Sequence, residues 1–258
     1  MDLLEAIILG FIQGLTEFLP ISSTGHLYLG RVLLGLKDAG LFLDTMLHMG
    51  TLIALLVFYK DILFSLLRRP FSKLTLLLFV GSIPAIIVGL LFADFFDSIS
   101  KSGVTIGWEF LVTGAMLWWA DNMKNGAKRL ADITVKDSFV IGCFQALAIF
   151  PAISRSGLTI AGALFCRVEK EAAAYFSFLL SIPVIFGAVS LQTADLLEGH
   201  ASQISLHSLF FATVSSAIFG YLAVKWMIQF VKRYSLKLFA IYVWALGIII
   251  IFLQQTVS

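Results

Sequence analysis

The chain has 258 residues, of which 59% are hydrophobic and only 13% are charged, with a formal net charge of +2. Soluble domains carry about 25% charged residues, and one core cannot hide an apolar surplus of this size. The composition therefore predicts a protein that lies in lipid, and the small net charge argues against a nucleic-acid partner, which would require a run of basic residues to neutralise phosphates in series.

Residues 1–34 form the first apolar region. Asp2 and Glu5 precede any basic residue, so the region lacks the positive start of a signal peptide and we expect it to be retained. It is interrupted over Leu19–Gly25, where Pro20 removes a backbone donor and the Ser and Gly residues favour a turn. Because such a break is tolerated only inside protein or beside water, we interpret 1–34 as a re-entrant helix–loop–helix hairpin.

Apolar segments fill most of the remaining chain. Roughly 20 apolar residues cross the hydrocarbon as a helix, and six segments qualify as predicted spans. Residues 138–165 form a second interrupted region, broken over Phe150–Gly157, which we also interpret as a hairpin. The predicted fold is therefore an all-α polytopic membrane protein with a single membrane domain. The six predicted spans are 41–59, 74–92, 106–120, 172–190, 206–224 and 238–255.

Loop charge predicts the orientation of the chain. Three loops carry four basic residues each, and two others carry two acidic residues each. Because cytoplasmic loops are enriched in Lys and Arg, we expect the three basic loops inside and the two acidic loops outside. Successive loops then alternate between the two sides of the membrane if the first hairpin enters and leaves from outside and the second enters and leaves from the cytoplasm. Both termini lie outside in this arrangement. The basic loops are 60–73, 121–137 and 225–237; the acidic loops are 93–105 and 191–205.

The two halves of the sequence match at an offset of 132 residues. Each half holds one hairpin and three spans. Because three is an odd number of membrane crossings, the second half has the opposite orientation in the membrane to the first. The sequence thus predicts an inverted-topology repeat whose hairpins meet near the midplane. Repeat 1 covers about 1–120, a cytoplasmic loop covers about 121–137, and repeat 2 covers about 138–258. The matched positions are Gly10, Gln13, Ser22, Thr24 and Gly25 with Gly142, Gln145, Ser154, Ser156 and Gly157.

Glu17 and Arg155 are the most informative charges, because each lies in one of the two matched hairpins. An ionisable group in the membrane costs at least about 2.5–3.5 kcal/mol, so it usually lines a cavity or pairs with another group. Asp44 and Glu109 also fall within apolar segments, and the sequence leaves open whether they support a site or the fold. His48 is interpreted as a helix-packing residue.

The first break carries groups suited to a cation and to phosphate. Gln13 and Glu17 lie four residues apart on one helix face, and their oxygens suit a hard divalent cation such as Mg²⁺ or Ca²⁺. The hydroxyls of the break can cap a helix, bind phosphate oxygens or attack phosphorus. A cap is favoured for Ser22 and Thr24, and the role of Ser23 is open. His26 is near enough to act as acid or base. The three hydroxyls are those of Ser22, Ser23 and Thr24.

The second break is typical of a phosphate cradle. Arg155 is planar, always charged and bidentate toward phosphate. The helix that follows would point its first amides into the same space, which favours an anion. The alternative interpretation is a structural ion pair of Arg155 with Glu17 or Glu109. The hydroxyls around Arg155 are those of Ser154, Ser156 and Thr159.

The run from Gln13 to His26, together with the run from Pro151 to Thr159, resembles the undecaprenyl-diphosphatase family, also called bacitracin-resistance proteins. The resemblance covers the whole chain in length and segment order. It implies hydrolysis of a C55 isoprenoid diphosphate to the monophosphate, dependent on a divalent cation, which recycles the lipid carrier of cell-wall synthesis. It also implies a bacterial plasma-membrane protein whose site opens to the periplasmic or extracellular side.

The resemblance also implies roles for individual residues. Glu17 and Gln13 take the cation-binding positions, His26 that of the catalytic histidine, Ser23 that of a hydroxyl near the phosphorus, and Arg155 that of the phosphate-binding arginine. Two positions depart from the family pattern: many members have Glu at position 13, and the family usually has Gly where this chain has Ala152. The loss of a charge at position 13 bears on cation binding, whereas Ala152 implies an ordinary backbone conformation. The phosphate-binding hydroxyls that the resemblance implies are those of Ser154, Ser156 and Thr159; the hydroxyls of Ser22 and Thr24 are further candidates from the residues of the first break.

A lipid flippase or transporter is the alternative function, because inverted repeats with broken helices are a common transporter plan. The combined Glu, Ser, His and Arg set favours the phosphatase, since binding alone does not need a His beside a hydroxyl. The expected partners are the C55 lipid substrate and membrane lipid, without nucleic acid. The oligomeric state, including a homo-oligomer, is left open.

Overall fold

The computed structural model describes residues 1–36, 40–123, 126–197 and 204–257. Within these ranges the chain forms twelve α-helices and one short 3-10 turn, Leu130–Asp132. Two of the loop charges used to predict orientation, Lys124 and Glu198, lie outside the described residues. The helices are α1 (Leu3–Phe18), α2 (Ser23–Leu33), α3 (Gly40–Phe58), α4 (Lys60–Arg68), α5 (Lys73–Leu91), α6 (Ala93–Ser102), α7 (Ile106–Asn122), α8 (Val135–Leu147), α9 (Arg155–Phe165), α10 (Lys170–Leu197), α11 (Leu206–Arg233) and α12 (Lys237–Val257).

The prediction of an all-helical membrane protein is confirmed. In the part of the chain that the structure describes, four helices are long and apolar enough to cross a membrane, and α3 with α4 forms a fifth candidate bent by 76°. The predicted span 106–120 is not among them, because α7 has only 17 residues and a length of about 25 Å. The four candidate spans are Lys73–Leu91, Lys170–Thr193, Leu206–Arg233 and Lys237–Gln255.

The structure corrects the prediction that 60–73 and 93–105 are loops. Each contains a short helix, α4 with 9 residues and α6 with 10. Both are amphipathic, and their charged residues masked the helical spacing of the apolar ones. In α4, Leu63 and Leu66 lie three residues apart and pack on the core, although no residue of this helix is fully buried. Such a helix is suited to lie along the membrane surface.

Closely packed helix pairs build the core, with α1 on α11, α8 on α5 and α7 on α12. Small residues permit this approach. A Cβ added to Gly10 of α1 would lie 2.4 Å from the carbonyl oxygen of Ala212 in α11. In the second half, a Cβ added to Gly142 of α8 would lie 2.4 Å from the carbonyl oxygen of Gly81 in α5. These contacts fix α1 and α8, each of which ends at one of the two breaks.

Candidate active site

The first break separates α1 from α2 and is held by Ser22. α1 ends at Phe18 and α2 begins at Ser23, so the interruption falls within the predicted range Leu19–Gly25. Ser22 has a φ of 69°, a conformation that residues other than Gly rarely adopt. Its hydroxyl accepts a hydrogen bond from the amide of Gly25 at 3.3 Å, which caps α2. Ser22 is therefore a helix cap, as the favoured interpretation of the sequence expected.

The second break separates α8 from α9 and is joined to the first. α9 begins at Arg155, and the hydroxyl of Ser154 caps it by accepting a hydrogen bond at 3.1 Å from an amide of its first turn. The hydroxyl of Ser156 donates to the carbonyl oxygen of Leu19, in the first break, at 2.9 Å. The described residues with positive φ do not include Ala152, as its departure from the family's Gly implied. The two breaks thus lie against each other.

Glu17, next to the first break, and Arg155, next to the second, are in direct contact. Nη2 of Arg155 donates a hydrogen bond to Oε1 of Glu17. The Glu17 side chain is 4% exposed and the Arg155 side chain 18%. The ion pair that the sequence left as the alternative for Arg155 is therefore present, and it links the two halves of the chain. Because a guanidinium has five N–H donors, Arg155 can also bind an anion while it pairs with Glu17.

The second carboxylate oxygen of Glu17 accepts two further hydrogen bonds. The hydroxyl of Ser23 donates to Oε2 at 2.5 Å, and Nε2 of Gln13 donates to the same atom at 3.0 Å. Nε2 of His48 lies 3.9 Å from Oε2, so this residue is nearer the site than its packing interpretation implied. Glu17 thus accepts a hydrogen bond from the Ser23 hydroxyl, and the buried carboxylate connects the hydroxyl with the guanidinium.

His26 is held away from Ser23 by two other groups. Its Nδ1 lies 2.6 Å from the carbonyl oxygen of Ser22, and its Nε2 lies 2.8 Å from the hydroxyl of Tyr242. Since a carbonyl oxygen only accepts, Nδ1 carries the proton, and Nε2 accepts from the Tyr242 hydroxyl when the ring is neutral. Phe110 packs edge-on against the ring at a centroid distance of 5.6 Å. Both nitrogens are engaged, so the catalytic role of His26 stays a prediction.

The remaining predicted hydroxyls differ in accessibility. Thr24 is exposed at the start of α2. Thr159 is buried, donates to a backbone carbonyl oxygen of α9 at 2.8 Å, and lies 2.6 Å from the hydroxyl oxygen of Ser177. The hydroxyl oxygens of Ser154 and Ser156 are 3.3 Å apart and both residues are buried. These buried groups fix the break internally, and their direct contact with phosphate stays a prediction.

The residues around Glu17 fit a divalent cation whose remaining ligands would be oxygens of the substrate. Oε1 of Gln13 is buried without a hydrogen-bond partner, so the side chain that contacts Glu17 through its Nε2 also carries a neutral oxygen that is not engaged. Among the described residues no group of three or more His, Cys, Asp and Glu side chains could hold a metal ion alone. Mg²⁺ is usually held by one or two carboxylates together with substrate phosphates. Glu17 and Gln13 therefore match that partial donor set rather than a complete protein cage.

Sequence reasoning missed several side chains that contact the breaks. The hydroxyl of Thr113 accepts a hydrogen bond from the amide of Ser154 at 3.1 Å. Glu109, whose role the sequence left open, accepts one from the amide of Ala152. The spacing of four residues between Glu109 and Thr113, which places both on one helix face, was the available signal. Nothing in the sequence pattern singled out Tyr242, because its partner His26 is distant along the chain.

Known proteins resemble this chain over nearly its whole length. The profile of the bacitracin resistance protein BacA family matches residues 6–249. An undecaprenyl-diphosphatase 4 of Bacillus thuringiensis (strain Al Hakam) is 65% identical over 256 residues, covering 99% of both chains. An undecaprenyl-diphosphatase of Carboxydothermus hydrogenoformans is 44% identical over 259 residues, covering 98% of both. The chain therefore belongs to the bacitracin resistance protein BacA family.

Proposed function

We propose that this multi-pass membrane protein hydrolyses undecaprenyl diphosphate to undecaprenyl phosphate and inorganic phosphate. The relatives are named undecaprenyl-diphosphatases, which favours hydrolysis over lipid transport. The observation that carries the proposal is the convergence of Ser23 and Arg155, from different hairpins, on the buried carboxylate of Glu17. In this proposal Ser23 is the candidate nucleophile, Glu17 is its proton acceptor, and the guanidinium of Arg155 binds the phosphate.

The arrangement supports phosphoryl transfer to Ser23 or to a water molecule. Attack on the terminal phosphorus forms a new P–O bond and breaks the bond to the bridging oxygen, which leaves as undecaprenyl phosphate. Glu17 accepts the proton of the attacking hydroxyl, and Arg155 neutralises the charge that grows on the phosphoryl oxygens. A water molecule then releases phosphate if a phosphoserine has formed. His26 is expected to act as acid or base beside the leaving phosphate.

A divalent cation is part of the proposal. Glu17 and Gln13 would hold it, since their oxygens are the hard ligands that Mg²⁺ and Ca²⁺ prefer. When bound, the ion would offset charge on the diphosphate oxygens. Ser23 and Thr24 lie at the same end of α2 and can contribute hydroxyls to the phosphate.

Phosphate release from purified protein tests the activity. Undecaprenyl diphosphate in detergent micelles is expected to yield inorganic phosphate with Mg²⁺ or Ca²⁺ present, and none after a chelator is added. Phosphate release that continues unchanged after the chelator is added would reject the proposed requirement for a divalent cation. Movement of the lipid across vesicles without any phosphate release would reject the phosphatase and favour the transporter.

Ser23→Ala tests which group attacks. We expect rapid acid quenching of the wild type during turnover to trap phosphate on the protein, and Ser23→Ala to trap none and to lose turnover, because the attacking oxygen is absent. Ser190→Ala, which removes an exposed hydroxyl of α10, should behave as wild type. If Ser23→Ala keeps full turnover, the attack belongs to water.

We also propose that the halves form an inverted-topology repeat, with both termini and the site opening outside the cytoplasm. In support, the starts of α1 and α8 differ by 132 positions, as do the starts of α2 and α9. The close pairs also correspond, since α1 packs on α11 as α8 packs on α5. These corresponding pairs are what two inverted copies of one unit would produce.

Cysteine labelling tests this orientation. In a background with Cys143 and Cys166 changed to Ser, Asp2→Cys should react with a membrane-impermeant maleimide in intact cells. Ala127→Cys, in the predicted cytoplasmic loop, should react only after the membrane is opened. The opposite pattern would overturn the proposed orientation.

A further inference from the structure

One helix, α7, contacts the backbone of the second break at two points. Oε2 of Glu109 accepts a hydrogen bond from the amide of Ala152. One turn later, the hydroxyl oxygen of Thr113 accepts a hydrogen bond from the amide of Ser154 at 3.1 Å. Glu109 is 5% exposed and Thr113 is 0% exposed, so neither bond competes with bulk water. The amides of Ala152 and Ser154, three residues and one residue before Arg155, are thus hydrogen-bonded to one face of α7.

The same face of α7 also contacts the first break. The ring of Phe110 lies edge-on to His26, and a Cβ added to Gly25 would lie 2.5 Å from Cζ of this ring. α7 is itself packed on α12, which carries the hydroxyl of Tyr242 at 2.8 Å from Nε2 of His26. Residues within little more than one turn of α7 therefore touch both halves of the candidate site.

These hydrogen bonds fix the position of Arg155. A buried amide without an acceptor is costly, so Ala152 and Ser154 hold their places only while Glu109 and Thr113 accept from them. The guanidinium of Arg155 extends from the next residue to Glu17. A shift of about 1 Å in a positioning group can cost up to a hundredfold in rate.

We propose that Glu109 and Thr113 are positioning residues that fix the second break, so that Arg155 meets both Glu17 and the substrate phosphate. This inference rests on the proposed phosphatase function. Neither side chain touches the reacting atoms; both act through the backbone of the break. Oε1 of Glu109 has no hydrogen-bond partner, so the described contacts of this carboxyl group serve the break alone.

Paired substitutions separate the hydrogen bonds from side-chain packing. Thr113→Val keeps the shape but removes the acceptor, and should lower kcat about tenfold with little change in KM, because Arg155 acts on the transition state. Thr113→Ser should keep nearly wild-type kcat. Glu109→Leu should lose activity in the same way, and Glu109→Gln, which retains a carbonyl acceptor, should recover it. Val112→Thr, at an exposed position of α7, is the control.

The variants also test whether Thr113 affects the rate through its effect on the position of Arg155. In an Arg155→Lys background, Thr113→Val should slow the reaction by less than about twofold, since both changes act on one group. An equal tenfold loss in both backgrounds would overturn the proposed route. Equal losses in Thr113→Val and Thr113→Ser, with lowered melting temperatures, would assign Thr113 to packing instead.

Hydrogen exchange gives a readout that does not depend on activity. Amides of a peptide covering 150–157 should exchange faster in Thr113→Val than in wild type, while a peptide from α8 should not change. Unchanged exchange at the break would overturn the positioning role even in an active enzyme. If wild type releases no phosphate but the exchange difference is present, the proposed function fails while the contact between α7 and the break stands.

Discussion

Arg155→Lys is expected to lower the rate of phosphate release by about a hundredfold, the loss typical when one group that stabilises transition-state charge is removed. Lysine keeps the positive charge and can still pair with Glu17, which is 4% exposed. It lacks the planar fork through which arginine binds a carboxylate and a phosphate at once. The measurement is kcat and KM for undecaprenyl diphosphate, with the thermal unfolding midpoint recorded in parallel.

The control for this substitution is Arg68→Lys, at the exposed end of α4. It should leave both rate and unfolding midpoint unchanged. A rate near wild type in Arg155→Lys would contradict the phosphate-binding role. A lower rate that is explained entirely by a lower unfolding midpoint would assign Arg155 to the fold instead.

Glu17→Gln is expected to lower the rate by about a thousandfold, more than Arg155→Lys, because three functions are removed together. The amide cannot accept the Ser23 proton, it leaves Arg155 without its counter-charge, and it is a poor cation ligand beside Gln13. The remaining activity should no longer respond to a titration with Mg²⁺ or Ca²⁺. Removing one partner of a buried ion pair should also reduce stability.

Glu5→Gln is the matched control, since Glu5 lies in the first turn of the same helix and its described side-chain contacts are with the capping residue Asp2 and the N-terminus. This variant should release phosphate at the wild-type rate. An unchanged cation titration in Glu17→Gln would reject the role of Glu17 as a cation ligand. A rate within a few fold of wild type would reject its role as proton acceptor for Ser23.

The sequence predicted the parts of the fold that depend on local chemistry. Pro20 and the Ser and Gly residues after it placed the first break, and α1 ends there because the chain loses a backbone donor. The isolated charges Glu17 and Arg155 were expected to line a cavity or to pair with another group, since a lone ionisable group in lipid is costly. Their direct contact fulfils that expectation.

What the sequence could not provide were the contacts between distant segments. Ser23 could have bonded to His26, three residues away, yet it bonds to Glu17, and His26 bonds to Tyr242 of the last helix. No local pattern distinguishes Thr113 from the other residues of its apolar helix, because its partner is the amide of Ser154, 41 residues away in the sequence. Helices α4 and α6 were missed because short amphipathic segments with several charges have the composition of loops.

The most direct test is a double-mutant cycle of Glu17→Gln and Arg155→Lys, measured on the rate of phosphate release. It shows whether the carboxylate beside the first break and the guanidinium beside the second act as a unit. When two residues act as a unit, a second substitution adds little to the loss of rate that the first one causes. The double variant should therefore be about as slow as Glu17→Gln alone. Losses that multiply in full would show two independent groups, and would contradict the single shared site.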